Sequence, residues 1–443
     1  MKILLSDHFT YKKLLKFTLP SISMMIFTSI YSVVDGFFVS NFVGKTPFAA
    51  VNFIMPVLII VSAFGFMFGA GGSALVAKIF GEGDPDRARR VFSLVTYFSI
   101  ALGITIAILS IVLVGPIAKG LGADGELLRL CVIYGRIILA ALPFYMLQQQ
   151  FQSFFVAAEK PGLGLCITVI AGVTNMILDA LFIAVFRWGI VGAAFATAIS
   201  QAIGGIIPLV YFIGQNSSIL RLGKTAFDIK ALIKVCTNGS SELMSNISMS
   251  VVGILYNIQL MKYADEDGVA AYGVLMYVGF VFVAAFIGYT IGTAPIISYN
   301  YGAENHRELR GILRKSLVII GAFSLSMFIL SEALSVPLSH VFVGYDKGLL
   351  ELTQRGFLFY SFSFLFCGLA IFGSGFFTAL NNGFISALIS FLRTMVFQAA
   401  AILIMPLILG TDGIWLSVVI SELLAAALVA MFILSNRKRY NYG

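Results

Sequence analysis

Charge is scarce in this chain, and what is missing narrows its function before any motif is read. Only 11% of its 443 residues are charged against 59% hydrophobic, and the mean hydropathy is +0.97. A soluble domain runs nearer to about 45–50% apolar, so this composition is that of an integral membrane protein. The three histidines, His8, His306 and His340, fall in polar connecting stretches, which leaves a haem, a transition metal or a histidine-based membrane enzyme almost nothing to work with. Four cysteines, Cys131, Cys166, Cys236 and Cys367, sit in or beside apolar segments with no C-x-x-C spacing. They read as small packed residues, not as a disulfide framework or zinc site. No stretch carries the Gly-Lys-Ser/Thr ending of a phosphate loop; the glycine-rich Gly69-Ala70-Gly71-Gly72-Ser73 lies inside an apolar segment and predicts close helix packing. That disfavours direct ATP-driven pumping. Residues 1–10 lack a short apolar core with a cleavage site, so insertion through the first helix is expected, with no removable signal.

Apolar runs fill the rest: roughly 11–41, 47–77, 90–118, 127–157, 162–186, 190–214, 230–261, 268–300, 311–338, 350–380, 383–410 and 413–435. Runs of about 20 residues or more are transmembrane helices and not barrel strands. With the N-terminus inside, 20 of the 29 Lys and Arg fall on the inner side, including Lys2, and seven on the outer, while Arg136 and Arg393 lie within segments. Both termini are therefore expected in the cytoplasm, in the inner membrane. The formal +8 is a topology signal touching anionic lipid, with no nucleic acid implied.

The chain also repeats itself. Phe68-Gly69-Ala70-Gly71 leading to Gly81-Glu82-Gly83-Asp84 and Arg89 has a counterpart 221 positions later in Thr290-Ile291-Gly292 leading to Gly302-Ala303-Glu304-Asn305 and Arg310. Phe154-Phe155-Val156-Ala157 matches Phe376-Phe377-Thr378-Ala379, and Gly189-Ile190 matches Gly413-Ile414. Six helices repeated by six are parallel repeats about an axis along the membrane normal, an arrangement common in secondary transporters. The expected fold is thus an all-α membrane protein of twelve transmembrane helices in two pseudo-symmetric six-helix lobes. Residues 1–214 form the first lobe, 215–229 a cytoplasmic linker and 230–443 the second lobe.

A carboxylate at membrane depth needs a partner, a proton or a cation. Asp35 lies ten residues before Lys45 and Asp179 eight before Arg187, while Thr197 lies ten after Arg187. At about 1.5 Å per residue all three sit about 12–15 Å from the outer side, with Asn175 one turn deeper than Asp179 on the same face. Asp35, Asn175, Asp179 and Thr197 can therefore meet in the first lobe. Oxygen-only ligands suit a hard cation such as Na⁺, and paired buried carboxylates hold a proton equally well, so either coupling ion fits. Tyr31 shares the face of Asp35. Gln148 with its neighbouring glutamines in the fourth segment, and Tyr256 and Gln259 in the seventh, are expected to face protein or water and fill out a substrate cavity. Glu242 is a second intramembrane acid at another depth, and Arg393 is expected to pair with Glu242 or Glu422.

Val34-Asp35-Gly36-Phe37-Phe38-Val39, Gly81-Glu82-Gly83-Asp84 with Ala88-Arg89, Asn175-Met176-Ile177-Leu178-Asp179 and Gly192-Ala193-Ala194-Phe195-Ala196-Thr197 resemble the multidrug and toxic compound extrusion (MATE) transporters, most closely the bacterial MepA-like branch. The resemblance covers essentially the whole chain. It implies a secondary active antiporter that exports amphiphilic, cationic compounds in exchange for H⁺ or Na⁺ through Asp35, Asn175, Asp179 and Thr197. It also implies that Tyr31 and Tyr134 line the first-lobe cavity and that Glu242 corresponds to the family's seventh-helix acid. Segment 350–380 has no carboxylate in its apolar part, where some members place an Asp, so a complete second-lobe ion site is not expected. No enzyme activity and no cofactor are implied; the partners expected are the bilayer and small-molecule amphiphiles, with the chain working as a monomer. The alternative is a flippase for lipid-linked saccharides or peptidoglycan precursors, which would want a basic cavity, whereas the intramembrane charge here is mainly acidic.

Overall fold

A computed structural model of the chain describes residues 3–442; Lys2 of the basic set lies outside the described residues. The backbone is helical because lipid offers no hydrogen-bond partner to N–H and C=O groups. In order come α1 (Tyr11–Phe42), α2 (Lys45–Gly81), α3 (Pro85–Gly120), α4 (Gly125–Ala157), α5 (Pro161–Val185) and α6 (Gly189–Ile213). A continuous helical run, Ile229–Gly302, follows, but Asp265 inside it has φ 49° and ψ −150°. That residue turns the chain and divides the run into α7 (229–264) and α8 (266–302). The second half ends with α9 (His306–Val343), α10 (Lys347–Ala379), α11 (Gly383–Leu409) and α12 (Thr411–Asn436). Among the described residues twelve helices thus stand where twelve apolar runs predict them. Many exceed the length that spans about 30 Å of hydrocarbon, so they tilt or project beyond it.

The repeat is written in the turns as well as in the helices. Gly44 and Asp265, Gly83 and Glu304, Glu159 and Asn381, and Arg187 and Gly410 all take left-handed φ, each pair 221 to 223 positions apart. After Gly83 the side chain of Asp84 accepts from Arg87 N at 2.9 Å, capping α3; after Glu304 that of Asn305 accepts from Glu308 N at 3.2 Å, capping α9. A short polar side chain before the first turn satisfies an otherwise unpaired N–H, which is why the helix starts there.

The halves meet most tightly at the end carrying most of the Lys and Arg, here called the basic end. A Cβ on Gly71 would strike the backbone of Val235 and Gly239, and one on Gly288 would lie 2.5 Å from Ile22 Cα. Gly292 packs the same way on Thr18. So α2 lies against α7, and α8 against α1, backbone to backbone, as the glycine-rich motif predicts. In the opposite half the approach is looser: a Cβ on Gly36 would stand 3.8 Å from the Tyr277 hydroxyl, an ordinary contact.

Two apolar cores form. One is built on α2 to α6 with Val39 from the end of α1, and takes in Ala231, Leu232 and Val235 from the start of α7. The other is built on α7 to α12 and takes in Leu14, Phe17 and Ile22 from the start of α1, with Ala77 of α2 and Val156 of α4. Each half thereby lends the first turns of its leading helix to the other's core. The N-terminal segment ties both halves at the basic end: Leu5 N donates to Glu159 Oε1 at 3.0 Å and Phe9 N donates to Glu308 Oε1 at 2.8 Å. Residues 215–228 are anchored too, with Gly223 N donating to Ser93 Oγ and Arg89 Nε to the Ile219 carbonyl.

Candidate functional site

Small residues bring α1, α5 and α6 together. The missing side chain of Gly172 in α5 admits the rings of Phe27 and Tyr31 from α1; a Cβ there would lie 2.5 Å from Phe27 Cε1. Gly192 lets α6 close on the Phe182 carbonyl at the end of α5. Directly after Asp179 the α-helical pattern of α5 gives way to a π-helical turn, Ala180–Val185. Such turns widen the helix and concentrate at functional sites.

Beneath these contacts lies a cavity of about 210 Å³ lined by Tyr31, Asp35, Tyr134, Asn175 and Thr197, with Tyr145, Ser200 and Gln201. Asp179 is fully buried beside it, and Asn175 and Tyr134 are 1% and 3% exposed. The carboxyls of Asp35 and Asp179 come within hydrogen-bonding reach of each other. Two carboxylates have no donor between them, so that bond exists only when one is protonated. Asp35 Oδ1, Asn175 Oδ1, both Asp179 oxygens, Thr197 Oγ1 and Gln201 Oε1 are buried and accept no hydrogen bond among the described residues. An unsatisfied buried acceptor costs about 1–3 kcal/mol, more when charged. A cluster of them is complementary to a proton or a hard cation: the donor set is all oxygen, which fits Na⁺ and not a thiophilic or imidazole-seeking metal. Among the described residues no group of three or more His, Cys, Asp or Glu forms a metal-binding cluster.

The four residues singled out for a coupling ion therefore lie together, and Tyr31 and Tyr134 share their cavity. The other cavity candidates lie elsewhere. Gln148 is 6% exposed and packs on Gly204, toward the basic end. Glu242, Tyr256 and Gln259 belong to α7 in the second half, where Tyr256 stacks on Tyr272 at 4.9 Å and 4°. These six residues do not surround one cavity. Tyr145 and Gln201 line it without having been picked out, although spacing marks both: Gln201 is one turn beyond Thr197, and Tyr145 three turns beyond Tyr134.

The second half handles charge differently. Arg393, in a π-helical turn of α11 (Leu392–Phe397), donates through Nε to Glu422 Oε2 and through Nη2 to Oε1, both at 2.9 Å. The pairing expected for Arg393 is thus made with Glu422, and Glu242 lies within electrostatic range of the same guanidinium. Nearby, Ser374, Thr378, Ser386 and Ser390 exchange hydrogen bonds of 2.6 to 3.1 Å. Where the first half leaves acidic oxygens unmatched, the second half has an arginine and a closed hydroxyl network.

Comparison with known proteins finds the same division into two repeated halves. The MatE family model matches residues 20–181 and again residues 243–404, once in each half. The multidrug export protein MepA of Staphylococcus haemolyticus (strain JCSC1435) is 25% identical over 435 residues, covering 97% of this chain and 94% of that protein. MepA of Staphylococcus aureus (strain MRSA252) is also 25% identical, with 96% and 94% covered. Among solved structures, the outward-facing conformation of a multidrug resistance MATE family transporter of the MOP superfamily superposes with a TM-score of 0.93 at 20% identity over 98% of both chains. A MATE crystal structure in complex with MaL6 gives 0.93 at 20% identity, again over 98% of both. With both halves matched by one family model and the whole fold shared, the chain belongs to the MatE family, the MATE transporters its motifs resemble.

Proposed function

We propose that this protein is a secondary active antiporter that exports amphiphilic, cationic compounds in exchange for H⁺ or Na⁺, with its basic end in the cytoplasm. The observation that carries this reading is the Asp35–Asp179 carboxyl pair, set among unmatched oxygens beside a cavity within one half of a two-fold repeated helical protein. Loading a cation or proton there removes the mutual repulsion of two buried carboxylates, and so changes how α1, α5 and α6 pack. The multidrug export named for the MepA relatives supports the substrate class. The Phe- and Tyr-rich composition and acidic intramembrane charge suit bulky cations through cation–π contact.

The tight glycine contacts at the basic end support a state shut toward the cytoplasm. In this state Asp35 and Asp179 load the coupling ion and substrate leaves outward. Parting of the basic end then releases the ion to the cytoplasm and admits substrate. Coupling requires each ligand to bind the two states with different affinity. The chain acts as a monomer and without a cofactor.

The test is efflux of a fluorescent cationic dye from liposomes holding the purified protein, under a pH gradient and then a Na⁺ gradient, with Asp35→Asn as control. Dye movement driven by one gradient and lost in the variant supports the antiporter and names its ion. No movement under either gradient, with the protein folded, overturns the reading.

A further inference from the structure

On the side of α4 and α6 that faces away from the cavity lies a second feature, with no part in the proposed transport chemistry. The two helices cross tightly toward the basic end, where a Cβ on Gly205 would lie 2.5 Å from the Phe144 carbonyl oxygen. Beside that crossing, toward the far end, lies a groove of about 430 Å³, lined by Ile137, Ala140 and Phe144 from α4 and by Phe195, Ile199 and Ala202 from α6. Its walls are apolar except at one point: Arg136 lies in it.

Arg136 is unlike the other arginine within a span. Arg393 is held by Glu422, and Arg129, two turns from Arg136 on α4, pairs with Glu126 at 3.3 Å. Among the described residues no hydrogen bond or ion pair holds Arg136. An unpaired guanidinium on a lipid-facing surface is costly unless an anion meets it. It lies eight residues toward the far end from Phe144, about 12 Å up the groove. Side chains tilt toward a helix's N-terminus, and α4 begins at the far end, so Arg136 leans outward, away from the bilayer centre. The groove thus has a cation at its outer mouth and a closed apolar apex about 12 Å below.

We propose that this groove is a binding site for one anionic phospholipid of the outer leaflet, its phosphate on Arg136 and an acyl chain running between Phe195 and Phe144 to the apex. The polarity of the groove matches that of a phospholipid, and its one unmatched charge matches one phosphate. A guanidinium forks onto phosphate oxygens, and anionic headgroups add no competing cation. The choice of leaflet rests on the orientation proposed above; the site itself does not. The lipid presses on the outer faces of the two helices whose inner faces carry Tyr134, Tyr145, Thr197 and Gln201.

Native mass spectrometry of the purified full chain in detergent, titrated with phosphatidylglycerol or phosphatidylcholine, tests this. The wild type is expected to hold one phosphatidylglycerol about tenfold more tightly than phosphatidylcholine, the factor expected of one charge-assisted contact. Arg136→Gln removes that preference and Arg129→Gln keeps it. Ala140→Trp fills the groove and removes the tight lipid of either kind. Retention of the preference in Arg136→Gln, or its equal loss in Arg129→Gln, overturns the proposal. Should Arg136→Gln fail to fold, an unchanged lipid count and preference in Ala140→Trp overturns it on its own.

Discussion

Gly81 and Gly302, 221 residues apart, cross at the basic end so that each presses on the helix that carries the other: a Cβ on Gly81 would collide with the Tyr299 carbonyl oxygen, and one on Gly302 with that of Lys78. Lys78 and Tyr299 are themselves 221 residues apart, so the contact is its own mirror through the repeat. Ala at either position forces α2 and α8 apart. Overpacking of this kind costs about 1–3 kcal/mol. Gly81→Ala and Gly302→Ala are expected to lower the thermal midpoint in detergent by similar amounts. They should also raise labelling of a cysteine introduced at Tyr299 by a reagent supplied at the basic end. Unchanged melting and labelling in both variants would show that the halves part there freely.

Asp35→Asn and Asp179→Asn each remove one carboxylate from the pair. Each is expected to abolish gradient-driven export while leaving the protein folded and in the membrane, and the double variant should be no worse than either single one, because the two act as a unit. Normal export by both single variants would take these residues out of the mechanism.

Thr197→Val keeps the volume of the side chain and deletes its oxygen. If Na⁺ couples, loss of one ligand raises the half-saturating Na⁺ concentration by about tenfold, the equivalent of one modest oxygen contact. If H⁺ couples, the proton sits on the carboxyl pair and export stays within about twofold of wild type. Loss of proton-driven export in this variant would contradict the assignment of the proton to Asp35 and Asp179.

Arg393 stands between two acids, and that makes its removal worse than removal of one partner. Arg393→Met leaves the buried Glu422 and the half-buried Glu242 without a cation, and breaking a buried pair costs about 3–5 kcal/mol. Glu422→Gln leaves Arg393 with Glu242 in range and is expected to cost less, and the double variant Arg393→Met with Glu422→Met should recover much of the loss. Thermal melting in detergent ranks the three; equal midpoints for the two single variants would show that Glu242 gives Arg393 no support.

The N-terminal tie carries a pH dependence outside the membrane. The Asp7 carboxyl is held below the ordinary carboxylate value, first by its hydrogen bond with Lys13 at 2.8 Å and then by the N–H of Leu4. A depressed value means the contribution is present above the unfolded value of about 4 and is lost as pH falls through the folded one. Once corrected for the intrinsic rate, which itself changes with pH, hydrogen exchange in residues 4–10 should therefore speed up below about pH 4 and stay level between pH 6 and 8. Asp7→Asn should show the fast exchange throughout; a variant that matches wild type at neutral pH would leave Asp7 with no part in the tie.

The twelve helices were legible because each is a local hydropathy signal, and the boundary at Asp265 falls between the apolar runs 230–261 and 268–300. Its turn joins two helices with no loop between them, and the repeat aligns it with Gly44. That Asp35, Asn175, Asp179 and Thr197 come together in the first half was legible for a similar reason. Asp35, Asn175, Asp179 and Thr197 are polar exceptions at matched depth, and depth follows from counting residues along a straight helix. Rotation about the helix axis is another matter. Residue counting puts Gln148, Tyr256 and Gln259 at membrane depth, but whether they face a cavity, a neighbouring helix or lipid depends on crossings set by distant glycines such as Gly204.

By itself, then, the order of residues determined the class, the number of spans, the repeat and the unmatched acids, since each of these arises from spacing along a single helix or from comparing one stretch with another. Tertiary structure alone decided that Asp35 reaches Asp179, that Arg393 takes Glu422 in preference to Glu242, that a π-turn follows Asp179, and that Arg136 is left facing an open groove. These are choices among partners on different helices. They are made by how closely the backbones approach and how each helix is rotated, which no local stretch of sequence encodes.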